Sequence, residues 1–508
     1  MSYYFFTQFV SKLSLEEWTL FFIPILLVLF ALMALLISSF YGKKNKMQAT
    51  NLAFIISVLG LVFALVCHHK IFIPLGVNLP MALVITPSEL SKNIHYISLF
   101  GSLFSMLLIY RQDKWFSFLP EIYPLILLGQ VGIYFLLFSQ HLLFLYIALE
   151  VLSLSLYVIV SLKRSSKRAS EAGVKYFILG SLASCFLLYG SALLFGATGS
   201  FDLVTIASSL TLESSSPKYF LGLVGSIFVL AGLLFKVGGV PFHSWVPDIY
   251  QGAPSSISAW MSSVVKTISF LLFIKVASLL FFKIPQSLLL KNVILLAGII
   301  SMFWGNIMIF SQQSLKRMLS YSSIAHTGYI LIGVYSLQSL GQGFSEDSLG
   351  PLVSYLIFYF IASLLSFGII SYWEKILNKD ISISDLPLIG QLSKVSTALF
   401  SVALFTLAGI PLTAGFVGKL FLISEGIKAQ SYLPVVLLVL ASLIGIYYYI
   451  LCFYDAYFQP VKIEQSHKEL FAKTENNFYQ SIDFVFYGIL AFLILLLGII
   501  PQLLTNQL

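Results

Sequence analysis

A succession of apolar runs sets the terms for this chain. A membrane-crossing helix needs about 20 largely apolar residues, and the sequence supplies about 14 such runs between short polar breaks. They fall at Phe21–Ser38, Thr50–Cys67, Ile94–Tyr110, Ile122–Phe138, Leu142–Leu162, Tyr176–Phe195 and Tyr219–Val240. They continue with Ile257–Phe282, Val293–Phe310, Met318–Leu337, Leu352–Trp373, Val395–Ser424, Leu433–Tyr454 and Phe484–Leu504. Of 508 residues, 58% are hydrophobic and 10% charged, so little chain is left for a soluble domain. The expected fold is an all-α integral membrane protein with about 14 transmembrane helices. No stretch is free to build a nucleotide-binding fold or a cysteine cluster for an iron–sulfur centre, so any redox chemistry falls to a partner. Cys67, Cys185 and Cys452 stand singly in or beside apolar runs and read as small buried hydrophobes, with no disulfide or metal site expected. The N-terminus lacks the basic region and small-residue cleavage site of a signal peptide, so the first run is expected to be retained.

Charge between the runs sets orientation. Lys43, Lys44 and Lys46 follow span 1, Lys163, Arg164, Lys167 and Arg168 follow span 5, and Lys316 and Arg317 follow span 9. The loops after spans 6 and 10 carry Asp202, Glu213, Glu346 and Asp347 instead. Lys283 and Lys291, after span 8, run against this trend. The positive-inside rule makes the odd-numbered loops cytoplasmic and puts both termini on the other face. The same rule accounts for the net charge of +8 without a nucleic-acid partner. Residues 68–93 and 455–480 are polar connections rather than simple spans, the second suited to an interfacial helix.

One span is broken. Between Ser226 and Lys266 the apolar run carries Lys236, breaks at Gly238, Gly239 and Pro241, passes His243, Trp245 and Asp248, and resumes with Lys266. Glycine and proline loosen the hydrogen-bond ladder, and the freed backbone groups need water or polar side chains nearby. Glu150, Lys236, Lys266 and Lys419 lie deep in apolar runs, where a charge costs about 2.5 to 3.5 kcal/mol, so they must pair or line a hydrated cavity. Glu150 either neutralises a neighbouring lysine and fixes packing, or forms a movable contact that loads and unloads one, since burial penalises both charged forms and pairing restores them. His326 lies centrally in its span and reads as either a hydrogen-bonded core residue or a relay group. His243 would share a face with Lys236 were the helix continuous. Lys275 lies nearer a span end and is expected to snorkel. Trp245, Trp260 and Trp373 read as packing or belt residues.

A second break interrupts Val395–Ser424, with Gly409, Pro411 and Gly415 followed by Lys419. The breaks fall in spans 7 and 12. Five spans is an odd offset, so the expectation is two five-helix repeats of inverted topology, each with a broken helix, over residues 120–282 (spans 4–8) and 291–458 (spans 9–13). Residues 1–115 then form an N-terminal three-helix segment, and residues 459–508 a connection and the last span.

Five stretches carry a family resemblance: LEVLSLSLYVIVSL (149–162), KYFILGSLASCFLLYGSALLFGATGSFDL (175–203), FKVGGVPFHSWVPDIYQGAP (235–254), LKRMLSYSSIAHTGYILIG (315–333) and AGIPLTAGFVGK (408–419). Together they resemble the antiporter-like proton-channel subunits of respiratory complex I, NADH–quinone oxidoreductase, most nearly the subunit N family, called chain 2 in mitochondria. The wording GATGSFDL and YQGAPSS and a lysine at 419 favour N over M, which has a glutamate there, and the lack of a long C-terminal lateral helix argues against L. The resemblance covers about residues 120 to 455. It implies that Glu150 is the span 5 glutamate, Lys236 the proton-accepting lysine, Lys266 the connecting lysine, Lys419 the lysine of the second break and His326 a histidine on the polar axis, while His243 occurs in the PFHxW wording.

It also implies a proton-translocating role in a redox-driven translocase, with partners among the other membrane-arm and peripheral subunits, in a multi-pass location in the cell inner (plasma) membrane. No cofactor is expected in this chain; NADH, FMN, iron–sulfur clusters and quinone would sit in partner subunits. A multisubunit cation/proton antiporter, a photosynthetic complex I relative fed by ferredoxin, and a purely structural membrane subunit are the alternatives.

Overall fold

A computed structural model describes residues 15–42, 45–71, 88–112, 119–163, 166–212, 216–281, 288–339, 346–460 and 478–502. Most of the two connections at 68–93 and 455–480, and Lys43, Lys44, Arg164, Glu213 and Lys283, lie outside the described residues. The first helices are α1 (Leu15–Tyr41), α2 (Lys46–Ile71), α3 (Glu89–Gln112), α4 (Ile122–Phe138), α5 (Leu142–Ser161) and α6 (Lys167–Thr198). Next come α7 (Leu203–Leu212), α8 (Pro217–Val237), α9 (Trp245–Gly252), α10 (Ser255–Phe281), α11 (Leu288–Met308) and α12 (Leu315–Ser339). The last are α13 (Glu346–Leu377), α14 (Leu386–Leu392), α15 (Lys394–Ala408), α16 (Ala414–Lys428), α17 (Tyr432–Phe458) and α18 (Phe478–Ile499). The described residues form no strands beyond two isolated bridges.

Among the described residues, ten helices are long and apolar enough to cross a membrane, and α4, α15 and the described part of α18 are shorter apolar helices. The remaining expected crossing is α12, whose Ser320, Ser322, Ser323, His326 and Thr327 are all buried. A helix with that much polarity is stable in a bilayer only when other helices shield it. The most shielded helix is α13, packed against α3, α10, α12, α15, α16 and α18. The rim helices behave oppositely: Leu36 on α1, Phe63 on α2, Ile178 on α6 and Leu443 on α17 are exposed, as hydrocarbon contact demands.

The loops sort onto two faces. The turns before α5 and α7 pair through His141 and Asp202, with Leu142 N–H donating to the Phe201 carbonyl at 2.8 Å and Leu203 N–H to the Gln140 carbonyl at 3.2 Å. The turns before α12 and α14 pair in the same way through Ser314 and Ser382, with Leu315 N–H on the Ile381 carbonyl at 3.2 Å and Ile383 N–H on the Gln313 carbonyl at 2.8 Å. The first pair joins loops after even-numbered spans, the second loops after odd-numbered ones.

Lys275 reaches toward the α4–α5 turn: its ammonium donates to the carbonyls of Leu136 (3.3 Å), Leu137 and Ser139 (3.2 Å), where the last turn of α4 leaves carbonyls free. Cys185 is exposed on α6 rather than buried, while Cys67 is half-buried and Cys452 buried, all three as free thiols. A second histidine, His95 on α3, is buried, as His326 is on α12. The tryptophans Trp245, Trp260 and Trp373 are all buried, which makes them packing residues.

Candidate functional site

The site is organised by two helix ends in mid-protein. α8 stops at Gly238 (φ +71°), whose N–H donates to the Phe235 carbonyl at 3.0 Å while Gly239 N–H reaches the Leu234 carbonyl at 2.9 Å. α15 stops at Gly409 (φ +79°) with the same two bonds, Gly409 N–H to the Thr406 carbonyl at 3.1 Å and Ile410 N–H to the Phe405 carbonyl at 3.0 Å. This is the Schellman closure, and it needs a residue that tolerates positive φ. Each break still leaves its last helical carbonyl for a side chain. At the first, Thr327 of α12 donates to the Val237 carbonyl at 3.1 Å, and Trp245 Nε1 to the Phe235 carbonyl at 3.0 Å. At the second, Lys419 Nζ donates to the Ala408 carbonyl at 2.6 Å.

From the first break a polar row runs across the helices. Lys236, in the last turn of α8, donates to Ser153 Oγ on α5 at 2.7 Å. Glu150 lies three residues before Ser153, hence one turn away on the same face, and accepts a short hydrogen bond from Ser184 of α6. The expected direct Glu150–Lys236 contact is not formed: the lysine bonds Ser153 instead, and Glu150 stands one turn away, within electrostatic range of the lysine. Beside Lys236 a cavity of about 20 Å³ is lined by Ser153, Tyr176, Lys236, Tyr250, Lys266 and Ser269 among others. That is room for a water molecule with polar partners on several sides, and it joins Lys236 to Lys266.

Lys266 is 4% exposed, immediately after a π-helical turn at Met261–Val265. Its ammonium donates to the Ser323 carbonyl on α12 at 2.6 Å and, more closely, to Ser323 Oγ. Tyr359 of α13 donates to the same Oγ at 3.0 Å, and its ring lies 5.6 Å from the Lys266 ammonium. One turn along α12, His326 Nδ1 meets Tyr355 Oη at 2.7 Å. The His326 ring stands 5.5 Å from that of Tyr329, over which the Lys419 ammonium sits at 5.1 Å. Asn306 fixes Tyr329 by donating to its hydroxyl at 2.9 Å. Glu150, Lys236, Lys266, His326 and Lys419 are thus gathered into one row of groups that donate, accept or hold protons, half-buried at Glu150 and Lys236 and buried at the other three. His243 is not drawn into it: the break turns its ring edge-on to Trp304 at 5.9 Å, and among the described residues it shares no hydrogen bond with the three lysines. Residue-type reasoning missed Ser153, Ser323, Tyr355 and Tyr359, although Tyr355 and Tyr359 share a helix face four residues apart.

A charged collar closes one end, on the face of the odd-numbered loops. Asp248 of α9 pairs with Lys175 at 3.0 Å and Arg317 at 2.9 Å, and Lys316 pairs with Glu374 at 3.2 Å and Asp380 at 3.4 Å. Burial opposes ionisation of Asp248, but the hydrogen bonds from Lys175 and Arg317 outweigh it and hold its carboxyl below the usual value. No group of three or more His, Cys, Asp or Glu placed to hold a metal occurs among the described residues.

Residues 139–445, the span of this row and its collar, match the family model described as NADH:quinone oxidoreductase/Mrp antiporter, TM. NADH-quinone oxidoreductase subunit N 1 of Sorangium cellulosum is 37% identical over 335 residues, 65% of this chain and 65% of that protein, so the match spans just under two thirds of the relative's length. NADH-quinone oxidoreductase subunit N of Nitrosomonas europaea is 35% identical over 387 residues, 76% of each. Among solved structures, a chain of respiratory complex I from Thermus thermophilus with bound aureothin is similar at 27% identity and a TM-score of 0.72, over 95% of this chain and 98% of that one. The chain belongs to the NADH:quinone oxidoreductase/Mrp antiporter transmembrane family and groups within it with the NADH-quinone oxidoreductase N subunits.

Proposed function

We propose that this chain is the proton-translocating N subunit in the membrane arm of an NADH–quinone oxidoreductase, in the cell inner (plasma) membrane. It moves protons, while NADH, FMN, iron–sulfur clusters and quinone work in partner subunits. The observation that carries this reading is the row from half-buried Glu150 and Lys236 through buried Lys266, Ser323 and His326 to Lys419, strung between two glycine-capped breaks. Glu150 supports the charged form of Lys236 through Ser153. When partner charges weaken that support, Lys236 gives its proton through the small cavity to Lys266. The hydroxyls of Ser323 and Tyr359 and the His326–Tyr355 pair carry it on, and Lys419 releases it on the non-cytoplasmic face. The collar face is the cytoplasmic one, by its share of lysine and arginine, with both termini opposite. The matching loop bridges at Leu142 and Leu315, on opposite faces, support a division into inverted repeats over 120–282 and 291–458.

The test is proton pumping against NADH–quinone turnover in reconstituted complexes carrying Lys236→Ala or Lys419→Ala. Pumping is expected to drop at least about tenfold. Assembled variants that pump like the unsubstituted complex would sink the relay. Proton exchange that persists when no quinone is reduced would favour an antiporter instead.

A further inference from the structure

Outside the lysine row, α3 carries a second polar stripe. Ser91, His95, Ser98 and Ser102 recur at spacings of four, three and four, which is one face of a helix, and all four are buried. The stripe starts at the end of α3 beside the last turn of α4, where Ser91 Oγ donates to the Leu137 carbonyl at 3.2 Å. In mid-bilayer Gln130 of α4 receives Ser98 Oγ at 3.4 Å, donates to the Ser98 carbonyl at 3.1 Å and also donates to Ser102 Oγ. Trp260 Nε1 of α10 ends the stripe on Ser102 Oγ at 2.8 Å, six residues before Lys266.

Between these ends stands His95, with 0% exposure and no hydrogen-bond partner among the described residues at either ring nitrogen. The Tyr96 hydroxyl beside it is likewise buried without a hydrogen-bond partner among the described residues. A buried imidazole carries one donor and one acceptor when neutral, and leaving both unmet is costly enough that such sites hold water. The groups facing His95 are His68 of α2 edge-on at 4.7 Å, Tyr134 of α4 at 5.2 Å and the apolar ring of Phe138 at 5.9 Å, with Lys92 a turn back, whose carbonyl meets His68 Nε2 at 3.3 Å.

We propose that this stripe is a second, water-holding proton lane, running from the face that carries the α4–α5 turn to α10, with His95 as its proton carrier. A proton arrives from water on one ring nitrogen, the imidazolium releases the other nitrogen's proton to the next water, and no other bond changes. The inference rests on the proton-translocating reading, for which it supplies a route through the N-terminal helices.

The experiment compares pumping per NADH oxidised in reconstituted complexes carrying His95→Gln, His95→Phe or Lys236→Ala, together with a high-resolution electron cryomicroscopy map of the unsubstituted complex. Glutamine keeps a donor and an acceptor but carries no proton, so both His95 variants should pump at least about twofold less while oxidising NADH. The map should show water within hydrogen-bond distance of the His95 ring. Normal pumping in His95→Gln with defective Lys236→Ala would overturn the lane and leave the lysine row standing, and a dry His95 would overturn it even if the variants failed to assemble. Normal pumping in Lys236→Ala would refute the underlying reading instead.

Discussion

Gly409→Ala tests whether the second break exists to hold Lys419. The backbone there has φ +79°, a conformation that costs an L-residue roughly 1 to 2 kcal/mol. The new methyl would lie 2.8 Å from Lys419 Cδ and 3.1 Å from its Nζ, so the lysine side chain has to shift. The bond it gives up, to the Ala408 carbonyl at 2.6 Å, is charge-assisted and worth about 1.5 to 3 kcal/mol. Together the site loses about 2.5 to 5 kcal/mol, and the docked lysine population falls about tenfold or more, at 1.4 kcal/mol per decade. Gly199→Ala provides the control, because Gly199 has φ +74° but nothing within 4 Å of the new methyl. Purified complexes would be compared by thermal unfolding and by proton pumping per NADH oxidised. Both variants should unfold earlier, with Gly409→Ala losing more, and only Gly409→Ala should pump poorly. Wild-type pumping in Gly409→Ala, or equal destabilisation of the two variants, would refute the reasoning.

Ser153→Ala removes the step between Glu150 and Lys236 and should lower pumping several-fold, whereas Ser153→Thr keeps the hydroxyl and should restore most of it; equal pumping in both would mean the serine only packs. Lys316 is 3% exposed and pairs with Glu374 and Asp380, so Lys316→Met should destabilise the chain by about 3 kcal/mol, and adding Glu374→Gln should recover part of that, as a double-mutant cycle in thermal unfolding would reveal. Asp248, with its carboxyl held below the usual 3.8, contributes stability that is present above that value and lost as pH falls through the lowered folded value. Asp248→Asn should therefore cost about 1 kcal/mol at neutral pH, a figure set by its partly exposed ion pairs, with the difference from the parent vanishing in acid; a difference independent of pH would exclude the ionic origin.

The span series could be read from the sequence because bilayer thickness turns composition into a length rule. The breaks could be read because Gly238, Gly239, Pro241, Gly409 and Pro411 cannot keep an unbroken ladder. Glu150, Lys236, Lys266 and Lys419 announced themselves by the cost of burying charge. What stayed hidden depends on side-chain direction across helices. Serine is at home in a buried helix on its own backbone carbonyl, so nothing distinguished Ser153 and Ser323 from Ser191 or Ser269, which do bond their own helices. His243 was misplaced for a related reason: helical periodicity does not carry through a backbone that has left the helix. His95 escaped notice because serines and aromatics around it leave its span apolar on average.

The two loop bridges put the halves of the lysine row in register. Counting from Leu142 and Leu315, the residues whose N–H groups close the bridges, position +8 is Glu150 in one half and Ser323 in the other, and position +11 is Ser153 and His326. Lys236 bonds the +11 side chain of the first half, and Lys266 bonds the +8 side chain of the second. The same frame thus presents a carboxylate and a hydroxyl at one end of the row, and a hydroxyl and an imidazole at the other. Lys236 is the lysine with a carboxylate one turn away from its hydrogen-bond partner. Lys266 and Lys419 are held by hydroxyl, carbonyl and aromatic faces, with Tyr359 at 5.6 Å from one and Tyr329 at 5.1 Å from the other. Such neutral partners stabilise a cation less than a carboxylate does. In the proposed relay a proton leaving Lys236 would therefore give up a site with a carboxylate nearby for sites without one, and the row would resist spontaneous transfer until Glu150's support is withdrawn. Placing the carboxylate in one half alone gives an otherwise matched pair of helices a direction.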